Sequence, residues 1–363
     1  MKRLLPGFIA LLAAVSMFAS CECATKTSYP EVAAHRGCHL EGLIPENSID
    51  GVEMAARFGY PAIEIDVKYT LDSVMVVMHD GTINRTMRTR EDYAPIEEKV
   101  WVKNSTFEEL REGYVLASED PARRRPIPTL QEILDKCLEC GIHPILHSEV
   151  PESYKLAKSM FGDGWTAFSD KFDCMQYARS ISLCRILWDP GKRSAEQTAE
   201  MLRPLGGPIG MSTMNYHMLR KDYYDAMHAE GMICQSSIFP SPREADAIIE
   251  GADIILSDFC WLQGDAFKPV AALSKRKTTM APGTTLSHEC PVSPEFGAVT
   301  VELDIDGEAT LTVNGKWKYE IPRECGDGHV VLGFRSLRLT PSVELFSEQG
   351  CTLRNLKVKY YSL

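Results

Sequence analysis

Four short motifs near the start of the chain hold its reactive chemistry: His35-Arg36-Gly37, Pro45-Glu46-Asn47-Ser48, Glu64-Ile65-Asp66 and His79-Asp80. Histidine is the side chain whose ordinary pKa lies closest to neutrality, so His35 and His79 together can take a proton from one group and supply one to another. Side chains alternate along an extended chain, which puts Glu64 and Asp66 on one face and Ile65 and Val67 on the other. Two carboxylates on one face repel unless a cation joins them, and oxygen ligands favour hard ions such as Ca2+ or Mg2+. The chemistry open to these residues is a displacement run by an acid/base pair beside a divalent metal.

Such residues need a scaffold that brings them together. From Val32 to about residue 259, short apolar runs alternate with amphipathic helical patterns. Strands are expected at 32–34, 62–67, 143–150, 165–169, 185–189, 208–214, 232–239 and 253–258, with 74–79 as a hairpin extension that ends at His79. Helical spacing recurs at 46–58, 130–140, 195–205, 219–230 and 242–250. Continuous apolar strands fit a parallel sheet covered on both faces. Eight such strand–helix units in about 230 residues predict a closed (β/α)8 TIM barrel. The rival, an open doubly wound sheet, usually carries a Gly-rich loop after its first strand, and none follows here. Residues 84–127 read as an irregular, charged insertion.

Composition shifts after Gln263, and Lys275-Arg276-Lys277 with Pro282-Gly283 reads as a linker. Beyond it the apolar period becomes two, and Asp306-Gly307 and Asn314-Gly315 punctuate the strands. The expected organisation is a signal peptide at 1–21, a barrel at 29–265 and a small all-β, sandwich-like accessory domain at 280–363. In that last segment Trp317 and Tyr319 read as packing residues.

Lys2 and Arg3 precede an apolar stretch from Leu4 to Ala19, the pattern of an export signal. Ala19-Ser20-Cys21 resembles a bacterial lipobox, although Phe18 replaces the usual aliphatic; the alternatives are a lipid-anchored Cys21 and ordinary signal cleavage. The expected location is the periplasm, or the outer membrane of a bacterium through that anchor. A formal net charge of −11 argues against a nucleic-acid partner. It leaves a phosphate substrate open, because a bound metal reverses the local sign. The chain has 12 cysteines, but their spacing reveals no disulfide framework. Cys137-Leu-Glu-Cys140 sits in a helical pattern without a second such pair and reads as two cysteines of one helix. His39, His143, His217 and His228 read as solvated or capping groups. Asp258 ends the last barrel strand and either approaches the site or only hydrogen-bonds nearby.

The combined motifs, with Asn84-Arg85-Thr86, Arg125-Pro-Ile-Pro-Thr-Leu and Leu256-Ser257-Asp258, resemble the glycerophosphodiester phosphodiesterase family over about 30–262. The resemblance implies a barrel that binds a divalent metal and hydrolyses a small-molecule phosphodiester to an alcohol and a phosphomonoester such as glycerol 3-phosphate. It makes His35 and His79 the acid/base pair, Glu64 and Asp66 metal ligands, Arg36 the phosphate-side cation and Asn47 a site-shaping group. The nucleophile is either water or a neighbouring substrate hydroxyl, which would first form a cyclic phosphate.

Two features depart from the family. Its third strand usually carries Glu-x-Lys, with the glutamate as third ligand, where this chain reads His147-Ser148-Glu149-Val150-Pro151. Either Glu149 is the ligand or His147 stands in for it; a hard cation's preference for oxygen favours Glu149. The seventh strand usually ends in a Trp-Thr pair, where this chain reads Cys234-Gln235-Ser236-Ser237-Ile238-Phe239; Trp188 is then either an aromatic wall for substrate from another direction or a core or rim aromatic. These departures keep two alternatives open: an envelope binding protein without catalysis or with altered specificity, and a phospholipase acting on inositol- or choline-bearing lipids.

Overall fold

The computed structural model describes residues 31–40, 42–213, 221–237, 251–258, 267–292, 296–315, 317–321, 329–337 and 340–362. The export signal, the lipobox with Cys21, the 242–250 helix and His217 lie outside the described residues.

The first half of the chain runs β1 (Glu31–Ala34), α1 (Ile49–Arg57), β2 (Ala62–Tyr69), β3 (Met75–Val77), β4 (Met87–Thr89), α2 (Phe107–Gly113), β5 (Tyr114–Leu116), α3 (Leu130–Cys140), β6 (His143–His147), α4 (Pro151–Phe161), β7 (Thr166–Ser169), α5 (Phe172–Ile181) and β8 (Arg185–Trp188). It continues through α6 (Ala195–Leu202), β9 (Ile209–Thr213), α7 (Lys221–Ala229), β10 (Ile233–Ser237) and β11 (Ile254–Ser257). Strands β1, β2 and β6 to β11 pair in parallel, and β1 pairs with both β2 and β11, which closes the barrel.

Strand parity sorts the side chains. Ala33, Ala62, Ile145, Phe168, Leu187, Ile254 and Leu256 fill the interior. Their neighbours Ala34, Ile63, Ile65, Leu146, Ala167, Ile186, Trp188 and Ile255 pack outward against the helices. The helices are stopped and started by local chemistry. Ser48 caps α1, its hydroxyl accepting from the Gly51 N–H at 3.0 Å, an interaction worth about 1 kcal/mol. Thr129 and Glu132 close a reciprocal capping box at the start of α3, and Gly141, with φ +68°, ends that helix in the left-handed region.

The insertion is more ordered than its composition suggests. β4 and β5 pair antiparallel, and Ile83, Met87, Val102, Leu110, Leu116 and Ile127 form a separate apolar cluster with Val76 and Met78 beside β3. The charged residues lie on its surface, which is why the segment reads as irregular. Asp50, 3% exposed, ties it to the barrel by receiving Arg123 at 3.2 Å and Arg125 at 2.9 Å.

The C-terminal region comprises β12 (Ala271–Met280), β13 (Thr284–Glu289), β14 (Phe296–Gly307), β15 (Ala309–Val313), β16 (Trp317–Ile321), β17 (His329–Leu337), β18 (Ser342–Ser347) and β19 (Cys351–Ser362). Two antiparallel sheets, β12-β19-β14-β17 and β13-β18-β15-β16, enclose one apolar core. Lys275-Arg276-Lys277 is not a linker: it lies in β12, which pairs with β19 from Ala271 onward, so the β-structure begins before residue 280. Alternate positions from Ala271 to Lys275 are partly covered, and Arg276 and Lys277 are exposed on this edge strand. Asp306-Gly307 joins strands of different sheets rather than a hairpin, whereas Asn314 and Gly315, at φ +55° and +65°, turn β15 back onto β16. Tyr319 is buried and stacks on Phe334 at 5.1 Å.

Candidate active site

The C-terminal ends of the barrel strands converge on one group of polar side chains, where reaction centres of this architecture lie. Glu64 and Asp66 share the inward face of β2 and are 1% and 2% exposed. The parallel register sets Asp66 opposite His147, the last residue of β6. His147 Nδ1 lies 3.1 Å from Asp66 Oδ1 and 3.6 Å from Glu64 Oε1. One ligand atom from each of the three side chains falls within 4.8 Å of the others. Burial alone would lower the His147 pKa, but its bonds to Asp66 and Glu64 and their charges push it up to about 10. The same contacts outweigh burial at Asp66 and hold its carboxyl well below the usual range. Phe168 of β7 stacks on the His147 ring at 4.5 Å and fixes its plane. Two buried carboxylates and an imidazole are a donor set that fits a divalent cation.

Glu149 is not brought to this group. β6 ends at His147, so alternation does not continue to residue 149. The chain turns into α4 there, with Tyr154 donating to the Ser148 carbonyl. The Glu149 side chain is 63% exposed and lies 3.7 Å from Lys171 Nζ. The geometry therefore puts His147 where the sequence favoured Glu149. Trp188 is also displaced from its expected role. Its neighbour Leu187 faces the interior, so parity turns Trp188 toward the helices, where it is 1% exposed. There it packs edge-on against Phe172 at 4.9 Å and donates from Nε1 to the Asp170 carbonyl at 3.1 Å. It is a core residue, not a substrate wall.

His35 follows β1 directly and is held by its backbone N–H on Ser257 O at 3.1 Å. Its Nδ1 lies 2.8 Å from Asp258 Oδ1, and His39 Nε2 lies at the same distance from that oxygen. Burial works to lower the His35 pKa, yet the Asp258 bond and the charges of Glu64 and Asp258 leave it raised. Asp258 is held far below the usual carboxylate range because its bonds to the two imidazoles outweigh burial. His39, read from sequence as a solvated group, thus belongs to the site, and Asp258 takes the nearer of its two readings. The only signal for His39 was its place four residues after His35, too common a spacing to weigh.

The turn after β1 is tightly constrained. Gly37 has φ +74°, and a Cβ there would meet the Gly51 backbone at 3.5 Å. Arg36 takes φ +51° and Asn47 φ +52°. A non-glycine residue in this region costs about 1–3 kcal/mol and persists only where its surroundings enforce it. Here the Arg36 N–H donates to Glu64 Oε2 at 3.0 Å, and the Asn47 N–H donates to Arg36 O at 2.8 Å. Asn47 then clasps Asp66 from both sides: its Nδ2 donates to Oδ2 at 2.9 Å, and its Oδ1 accepts the Asp66 N–H at 3.1 Å. Arg36 Nη1 donates to Glu46 at 3.2 Å. Its buried Nε has no hydrogen-bond acceptor among the described residues and lies 3.9 Å from Asp66 Oδ2. A donor so placed beside a metal-type cluster fits a phosphate oxygen.

His79 follows β3, and its Nδ1 lies 2.7 Å from Asp80 Oδ1. Arg85 donates to Asp80 at 2.7 Å and grips Glu46 through two bonds at 2.8 and 2.7 Å. Arg85 and His79 together draw the Asp80 carboxyl down to about 2. A continuous chain of ion pairs thus links His79 through Asp80, Arg85 and Glu46 to Arg36. Both histidines engage an aspartate through Nδ1.

Residues 35–242 match the family model described as the glycerophosphoryl diester phosphodiesterase family. The chain belongs to this family. Glycerophosphodiester phosphodiesterase 1 of Rattus norvegicus is 34% identical over 110 residues, which is 29% of each chain. The glycerophosphodiester phosphodiesterase of Bacillus altitudinis is 35% identical over 106 residues, covering 29% of this chain and 39% of that protein. The chain therefore spans well under half the length of these curated relatives. A phosphodiesterase of Oleispira antarctica, solved in complex with its product sn-glycerol-3-phosphate, superposes with a TM-score of 0.51 at 20% identity, over 63% of this chain and 93% of that one. At that identity the likeness speaks for the barrel fold.

Two further features of this glycerophosphoryl diester phosphodiesterase family member stay outside the site. His228, Cys234 and Asp253 also cluster, but the Asp253 carboxylate is already taken by the Cys234 N–H and His228, each at 2.8 Å. Cys137 and Cys140 are unbonded residues of α3, and all eight cysteines among the described residues are free.

Proposed function

We propose that this chain is an exported, metal-dependent phosphodiesterase that hydrolyses glycerophosphodiesters to an alcohol and a phosphomonoester such as glycerol 3-phosphate. The observation that carries this reading is the convergence of Glu64, Asp66 and His147 with the aspartate-bound His35 and the Arg36 Nε at one end of the barrel. Arg36 holds the phosphate by a charge-assisted hydrogen bond and offsets charge that develops on its oxygens. One histidine accepts the nucleophile's proton at Nε2, and the other donates from Nε2 to the leaving oxygen. Asp258 and Asp80 keep the two rings in the tautomer this exchange needs. A divalent cation held by Glu64, Asp66 and His147 would supply Lewis-acid neutralisation of the phosphate. The imidazole nitrogen widens the choice of ion beyond Ca2+ and Mg2+ to Mn2+ and Zn2+.

The test is a panel of glycerophosphodiesters and inositol- or choline-bearing lipids, incubated with the purified chain and analysed for products. The expected result is alcohol release from glycerophosphodiesters that stops on chelation and returns with added metal. Hydrolysis untouched by chelators would remove the cation from the reaction. A panel left intact while metal still binds would replace the enzyme with an envelope binding protein.

The N-terminal pattern supports export with lipid attachment at Cys21. In a bacterial host, labelled palmitate should enter the protein and be lost in Cys21→Ala. An unlabelled, soluble chain cut after a small residue would assign ordinary signal cleavage instead.

A further inference from the structure

The structure assigns Arg335 of the β-domain as a positioning residue for His35, so that the accessory domain completes the reaction centre rather than merely adjoining it. This inference rests on the hydrolase reading.

Arg335 lies on β17 and is 3% exposed. A guanidinium so deeply buried is costly unless its donors are used. Its Nη1 donates to Cys38 Sγ at 2.8 Å and its Nη2 to the Asp258 carbonyl. Its plane lies over the Tyr60 ring at 5.0 Å, a cation–π contact. Each partner belongs to the barrel. Cys38 closes the His35-Arg36-Gly37 turn, and Asp258 is the residue whose carboxylate holds the His35 and His39 rings. The fork therefore spans the two segments that set where His35 sits: the turn after the first barrel strand and the end of the last one.

The β-domain presents Arg335 on a built docking face. Cross-strand register places Ala298 of β14 opposite Arg335 on one side and Tyr361 of β19 on the other. Ala298 and Tyr361 are buried and join the apolar cluster of the barrel rather than that of the sandwich. The small Ala298 side chain lets the sheet approach closely between the two long ones. Arg335 thus reaches the site from a row of three paired strands. A lysine at 335 would be a point charge able to serve one acceptor at a time, whereas the planar fork holds both segments.

The experiment compares Arg335→Met, Arg335→Lys and Tyr361→Leu in the full chain, the last as a control that weakens docking alone. Steady-state kinetics are read together with the hydrogen-bonded Nδ1–H proton resonance of His35, assigned by its loss in His35→Gln. Arg335→Met should lower kcat by about tenfold or more with KM nearly unchanged, since small misplacements of a reacting group cost up to about 10²-fold. The His35 resonance should disappear or broaden. Arg335→Lys should recover part of both, and Tyr361→Leu should melt earlier but keep kcat and the resonance. A resonance unchanged in Arg335→Met overturns the proposal whatever the rate, and so does equal loss in Tyr361→Leu. If Arg335→Met does not fold, Arg335→Lys decides: wild-type kcat and an unchanged resonance overturn the proposal. Wild-type protein that hydrolyses no diester sinks the hydrolase reading, and the resonance still judges the positioning.

Discussion

Alanine at His35 or His79 lowers kcat by about 10²–10⁴-fold, the range expected when a positioned acid or base is removed. Each ring is held at Nδ1 by its own aspartate, at 2.8 Å in His35 and 2.7 Å in His79. Neither ring is a ligand of the Glu64–Asp66–His147 group, so metal affinity should stay within about threefold of wild type while the rate collapses. The double variant should be little slower than the slower single one, because two groups that serve one displacement do not contribute additively. Diesters with a nitrophenolate leaving group separate the two roles. Such a leaving group needs no proton, so the variant that lacks the general acid should regain most of its rate, and the variant that lacks the base should not. A loss below about tenfold in both variants would exclude the pair as acid and base.

The second large effect concerns the metal group. Asp66→Asn should weaken divalent-cation binding, measured by calorimetry, by at least about 10²-fold and remove activity with it, since one of two carboxylate charges is lost. His147→Ala should weaken binding by about tenfold or more, whereas Glu149→Ala should leave it unchanged within about twofold. Equal losses at 147 and 149 would refute the assignment of His147. The pH dependence has a definite sign. Without metal, Glu64 and Asp66 hold His147 protonated up to about pH 10 against the effect of burial. A cation must displace that proton, so affinity should rise with pH, approaching about tenfold per unit, and level off near the His147 pKa. Proton release on binding, followed in two buffers of different ionisation enthalpy, checks this directly. Affinity that falls as pH rises would contradict it.

How far the site was legible follows from strand parity. Residues 62–67 lie wholly within β2, so the rule that Glu64 and Asp66 share a face holds through the stretch. The same rule applied to 147 and 149 fails because β6 stops at His147 and the chain turns toward α4. Trp188 shows the complementary case. Its position at a strand end is right, but the side of the sheet it faces depends on which residue of β8 enters the barrel, and that is set by closure. The insertion misled for another reason. Its apolar residues are spread between charged ones, and they collect only when β4, β5 and α2 fold over β3.

The sequence by itself determined the strand–helix alternation, the family motifs and the pairing of Glu64 with Asp66. All of these are encoded within a few consecutive residues, where backbone periodicity links spacing to direction. Only the tertiary structure decided that His147 joins those carboxylates, that Asp258 holds both His35 and His39, and that Arg335 of the C-terminal sheets reaches the Asp258 carbonyl. Those contacts join residues up to 297 positions apart. They are set by barrel closure and by the packing of the C-terminal sheets against the barrel, which no local pattern records.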